Sequence, residues 1–174
     1  MRGHYTSPSL SRPACNDHGA TPATLLACND DLLFPEFRGR DLSTWFGRTV
    51  AVVERAVDGS TVGDVPRQLA IAPVPAGAIM LLTIGGNDLL EGLVLGDNPA
   101  FAAFQRTLRR ILDAVKHARL FVGNVYDPSF SNDARNFLSI DPSIARRAHR
   151  RVNETLAAET AELTARSSTC MPIS

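Results

Sequence analysis

The sequence predicts an α/β fold, an open parallel sheet with helices on both faces in a three-layer α/β/α arrangement. Three observations carry this. Short runs of consecutive apolar residues recur, as in strands buried on both sides. Segments with a helical apolar period lie between those runs. The runs fall roughly 30–40 residues apart, the separation that right-handed crossover units need.

In chain order, residues 1–23 read as irregular. They hold Pro8, Pro13 and Pro22 among Ser, Thr, Asn and Gly, with no hydrophobic period. Thr24–Cys28 is a short apolar stretch, and Asn29–Leu42 mixes charges with aromatics. A helix is expected to start near Asp41 and to bury Leu42, Trp45 and Phe46, which stand at i, i+3 and i+4. Thr49–Val53 is β-branched and predicts the first strand. Asp64–Ala72 predicts a short helix with Pro66 in its first turn.

Ala78–Ile84 predicts the second strand. Pro99–Ala118 predicts a long helix with Asn98 as cap and Phe101, Phe104, Leu108, Ile111, Leu112 and Val115 on one apolar face. His117 ends that helix, where a cation suits the dipole, and reads as structural or solvated. Leu120–Tyr126 predicts the third strand. Asp141-Pro142 starts a last helix running to about Thr164, with Ile144, Ala148, Val152 and Leu156 inward. Arg146, Arg147, Arg150 and Arg151 then form a solvated basic face, with His149 in solvent among them. Residues 166–174 read as a tail, and the whole of 1–174 as one domain.

Composition narrows the function. The chain is 44% hydrophobic and 21% charged, near the globular average, so large-scale disorder is not expected. Lys+Arg and Asp+Glu both number 18, and this balance argues against a nucleic-acid binder working by bulk charge. No apolar run reaches the roughly 18 residues of a membrane helix, so no integral membrane segment is expected. Met1–Leu10 has no apolar stretch behind Arg2. No signal peptide is expected in the chain as it stands, and secretion and cytoplasmic residence both stay open. Cys15, Cys28 and Cys170 form no metal spacing and read as free thiols, with a Cys15–Cys28 disulfide as the alternative.

In open parallel sheets ligands bind at the carboxyl ends of the strands. The loops leaving the expected strands are Ala56–Thr61, Gly85–Asp88 and Asp127–Ser129, which the topology brings to one edge. Gly85-Gly86-Asn87-Asp88 follows a buried strand directly. Glycines allow close backbone approach to a ligand, and an asparagine amide offers two N–H donors that never ionise. That is what an oxyanion hole needs. A glycine-rich turn with Asn87 in a left-handed conformation is the equal alternative.

Gly85-Gly86-Asn87-Asp88 resembles the G-x-N-D block of the SGNH hydrolases, the GDSL-type esterases and lipases. Ala56–Val65 resembles that family's preceding block, Asp30-Asp31 with Phe34–Leu42 the stretch before it, and Val122–Pro128 the next strand and exit loop. The resemblance spans roughly residues 24–165. It implies a flavodoxin-like sheet, ester hydrolysis, a small-molecule or lipid ester as substrate, and no metal or organic cofactor. It assigns the oxyanion donors to Gly59 N–H and the Asn87 amide, with Gly85, Gly86 and Asp88 as the supporting loop.

The chain departs from the family at both catalytic ends. It has no Gly-Asp-Ser nucleophile motif and no Asp-x-x-His motif. Ser60 reads as a turn or cap residue, because Gly59-Ser60-Thr61-Val62-Gly63 is not the G-x-S-x-G elbow. Ser7, Ser9 and Ser11, with His4 and His18 nearby, have no strand to aim them, so no nucleophile and no base is assigned. The expectation is an incomplete hydrolase, inactive as these 174 residues, with a motif-bearing reading frame upstream of Met1. The alternative is a non-catalytic binding module on the same fold. Self-association through exposed sheet edges is expected under either reading. A nucleotide-binding domain is a weaker option, since neither G-x-x-x-x-G-K-[ST] nor G-x-G-x-x-G is present.

Overall fold

Apolar runs decide where this chain forms sheet, and caps decide where it forms helix. A computed structural model describes residues 21–71, 73–127, 132–135 and 140–169. The chain divides into two compact units, Met1–Glu54 and Arg55–Ser174.

In the first unit, Pro22–Ala27 (α1) is opened by a capping box. The Thr21 side chain accepts from Thr24 N, and Thr24 Oγ1 accepts from Thr21 N. Pro22 thus starts a helix, where the sequence placed it in an irregular segment. Asn29 is buried and donates to Asp31 Oδ1 and the Phe34 carbonyl, which fastens the turn between them. Leu42–Phe46 (α2) is capped by Asp41 through a 2.8 Å bond from Thr44 N. It ends at Gly47, whose φ of 62° needs no β-carbon. The expected burial of Trp45 and Phe46 is corrected. They are 80% and 43% exposed, while Asp41 and Ser43 are the buried positions. One turn of helix is too short to sustain an apolar stripe against a partner.

Thr49–Val53 is not a strand in the structure. Val52 and Val53 are 40% and 70% exposed. β-Branched residues favour extended backbone, but a strand exists only with a ladder partner. Among the described residues the sheet has two strands. Cys28 is disulfide-bonded, which overturns the free-thiol reading for it. Cys15 and Cys170 lie outside the described residues, as do residues 1–20.

In the second unit, Val65–Ile71 (α3) precedes Ile79–Thr83 (β1). Gly86–Leu90 (α4) and Asn98–Ala114 (α5) lead to Arg119–Gly123 (β2), and Pro142–Thr169 (α6) follows. β1 and β2 pair in parallel, Ile79 opposite Arg119 and Thr83 opposite Gly123. The result is a two-stranded parallel sheet with helices, a small α/β arrangement.

α5 carries the core. Its predicted face is buried throughout, from Phe101 to Val115, with Leu108 and Leu112 at 0% exposure. Each such aliphatic side chain contributes about 1.5–3 kcal/mol by leaving water. Its cap is Asp97, which accepts from Ala100 N at 2.9 Å, one residue before the expected Asn98. His117 lies past the helix, with Nε2 donating to the Val74 carbonyl at 2.7 Å.

α6 buries Ala148, Val152 and Leu156 as expected, and runs on to Thr169. Its contacts with α5 advance together. Arg151 stacks 4.0 Å from the Phe101 ring centroid, Arg109 pairs with Glu159, and Arg166 pairs with Asp113. The two helices therefore run parallel, as helices after successive parallel strands do. The arginine face is exposed as expected at Arg146, Arg147, Arg150 and Arg151, and within it Arg151 lies over Phe101 and Arg146 pairs with Asp133.

The sheet divides by face. Leu82 is buried with α5 and α6, and Met80, Leu120 and Val122 pack on that cluster. On the other face Ile79, Leu81 and Phe121 are 40%, 59% and 58% exposed. The expected second helical layer has no counterpart among the described residues of this unit.

Candidate functional site

The loop after β1 has its conformation from two glycines with different tasks. Gly85 is buried at φ 101°, a conformation that L side chains rarely adopt. A β-carbon there would stand 2.7 Å from Val152 Cγ1 and 3.3 Å from Val125 Cγ2. Gly85 also precedes α4, so the backbone turns sharply off the strand into one turn of helix. Gly86 and Asn87 are already helical. The left-handed residue is therefore Gly85, and not Asn87 as the turn reading had it.

This loop is fastened to residues 57–64. Asn87 Nδ2 donates to the Ser60 carbonyl at 2.8 Å. Both Asp88 carboxylate oxygens lie 3.1 Å from Val62 N and accept from it. The two segments that the sequence singled out, Gly59 with its neighbours and Gly85–Asp88, thus stand side by side. Burial pushes the Asp88 carboxyl above its ordinary range, opposed by the Val62 N–H bond and aided by Glu91 and Asp64.

Gly59 occupies a turn closed by Ser60 N donating to the Val57 carbonyl, with φ 78°. Its N–H donates to Asp58 Oδ1 at 3.0 Å, so this donor is engaged by a carboxylate of the chain itself. The Ser60 hydroxyl accepts from Gln68 Nε2 at 2.8 Å. Thr61 N and Oγ1 both donate to Asp64 Oδ2, and these bonds hold the Asp64 carboxyl below its ordinary range. A cavity of about 290 Å³ is lined by Thr61, Val62, Asp88, Glu91, Leu93 and Phe104 among others, while Gly59, Ser60 and Asn87 lie outside its lining.

The exit from β2 holds residues that sequence reasoning missed. His149 is half-buried, and its Nε2 donates to the Val125 carbonyl at 2.7 Å. This corrects the solvated reading. Asn153 donates to the same carbonyl at 3.0 Å and accepts from Val125 N at 2.8 Å. The signal was the i, i+4 spacing of His149 and Asn153 beside inward Val152. Glu159 was also missed. It is 1% exposed, yet it stands three residues after Leu156 and four before Leu163, on the buried stripe.

Pro128 and Ser129 of the third loop lie outside the described residues, as do His4, Ser7, Ser9, Ser11 and His18. Among the described residues no cluster of His, Cys, Asp and Glu could hold a metal ion. No described helix is long and apolar enough to cross a membrane. No protein-family model, curated protein or solved structure matches this chain.

Proposed function

We propose that the chain is an oxyanion-binding α/β module of the SGNH hydrolase type, with the Asn87 amide as its principal donor. The observation that carries this reading is the joint between Asn87 and Ser60. An amide has two N–H groups, and the Ser60 bond engages one and orients the other. A rigid, neutral donor is what a tetrahedral oxyanion requires. Gly59 joins as a donor when an anion displaces the Asp58 carboxylate from its N–H. Gly85, Gly86 and Asp88 hold the loop in place. The ligand class is a small-molecule or lipid ester, or the acid it yields. The three-layer sheet belongs to the same proposal, with the exposed Ile79, Leu81 and Phe121 as the face that a second layer would cover.

The 174 residues contain no Gly-Asp-Ser and no Asp-x-x-His. That favours binding without turnover by this chain, since a donor without a nucleophile and base does little chemistry. The test follows the Asn87 side-chain amide by ¹H–¹⁵N NMR as propylphosphonate, a tetrahedral anion, is added. Saturable movement of that resonance, with binding abolished in Asn87→Ala, is expected. An unmoved resonance sinks the reading. Hydrolysis of p-nitrophenyl butyrate should not exceed background, and turnover lost in Asn87→Ala would replace the binding module with an enzyme.

A further inference from the structure

Val125 leaves the sheet with both backbone polar groups held by side chains. Asn153 Oδ1 accepts from its N–H, and Asn153 Nδ2 and His149 Nε2 both donate to its carbonyl. Asn153 therefore does for Val125 what a neighbouring strand's peptide would do, with one donor and one acceptor on a single residue. The Val125 side chain faces the loop after β1. Its Cγ2 and Cγ1 lie 3.3 and 3.8 Å from where β-carbons would stand on Gly85 and Gly86. Val152, between the two polar residues, reaches the same glycine. His149, Val152 and Asn153 share one face of α6, and together they seat the turn from which Asn87 projects.

We propose that Asn153, supported by His149, is a positioning residue for the Asn87 donor, acting through Val125 on Gly85 and Gly86. This rests on the oxyanion-binding reading above. The geometry of a preorganised donor is only as good as the shell behind it. Here that shell is a side-chain pair on a helix more than sixty residues further along the chain. Without Asn153 the Val125 N–H loses its acceptor, the β2 exit shifts, and the wall behind Gly85 and Gly86 moves with it.

The test uses the full chain and reads the Asn87 side-chain amide in Asn153→Leu and Asn153→Asp. Leucine removes both bonds to Val125, whereas aspartate keeps the acceptor for its N–H. In Asn153→Leu the resting Asn87 amide resonance should move, and propylphosphonate affinity should fall about five-fold, the scale of one lost hydrogen bond. Asn153→Asp should fall between this variant and the parent, a graded rescue that mere loss of stability would not give. An unmoved resonance with parental affinity in Asn153→Leu overturns the proposal. If that variant does not fold, Asn153→Ala, which also removes both bonds to Val125, is read instead, and a parental resonance and affinity in it overturns the proposal equally. Should the parent not bind propylphosphonate, the oxyanion reading fails. The resting resonance still decides whether Asn153 positions Asn87.

Discussion

Gly85 lies against Val152 so closely that a β-carbon on the glycine would stand 2.7 Å from the valine Cγ1. Its φ of 101° adds a second reason for glycine. A left-handed L-residue costs about 1–2 kcal/mol, and overpacking a core contact about 1–3 kcal/mol. Gly85→Ala should therefore destabilise the protein by about 2–4 kcal/mol in urea unfolding. Gly86 is helical, and its β-carbon would meet Val125 at an ordinary 3.8 Å. Gly86→Ala should stay within about 1 kcal/mol of the parent. Equal effects at the two glycines would refute the division of labour between them.

Where the sequence carries a long period, the fold was legible. The face from Phe101 to Val115 could be read because four turns of helix repeat the pattern. The β1 and β2 runs could be read because four or five consecutive apolar or small residues have few alternatives, although β2 begins at Arg119 and ends at Gly123, short of the expected Tyr126. Thr49–Val53 has the same local character, but pairing is a property of a partner strand that the segment itself does not encode. Trp45 and Phe46 failed for the same reason. The turn at Gly85–Asp88 was legible because glycine and asparagine punctuate a buried strand, with the left-handed residue at Gly85. His149, Asn153 and Glu159 were not, because their roles depend on what α6 packs against. Cys28 shows the same limit, since spacing alone does not say whether two thiols meet.

Asp97 and Asn98 offer a sharp contrast between neighbours. Either side chain can cap a helix, yet it is Asp97 that accepts from Ala100 N. Asp97→Ala should cost about 1 kcal/mol, with loss of protection of the Ala100 amide in hydrogen exchange. Asn98→Ala should change stability by less than about 0.5 kcal/mol. The reverse order would return the cap to Asn98.

Asp88 should be stabilised by losing its charge. Burial raises its pKa above the ordinary carboxyl range. A carboxyl raised by folding favours the folded state below its unfolded pKa, and that contribution is lost as pH rises through the folded value. Asp88→Asn keeps an acceptor for Val62 N–H without ionising. At about pH 7 it should match or slightly exceed the parent, by well under about 1 kcal/mol because solvent screens the half-buried carboxyl, and the gap should close towards about pH 4. A loss of stability at neutral pH would mean that both carboxylate oxygens are needed at Val62.

Glu159 behaves in the opposite sense. It accepts from Arg109 Nε at 2.8 Å, from Arg109 Nη2 at 2.7 Å and from Gln105 Nε2 at 2.6 Å. Its hydrogen bond with Arg109, more than that with Gln105, holds the carboxyl below its ordinary range against the cost of burial. A carboxyl lowered by folding stabilises above its unfolded pKa, and the contribution is lost as pH falls through the folded value. Arg109 keeps 45% of its side-chain exposure, so solvent takes up part of the loss when the pair is broken. Glu159→Gln should cost about 1–2 kcal/mol at about pH 7, with the difference shrinking below about pH 4. Glu159→Ala should cost more, about 2–4 kcal/mol, because it also leaves a void between α5 and α6. Unfolding curves at the two pH values decide it. A pH-independent penalty in Glu159→Gln would show that shape, and not charge, joins these helices.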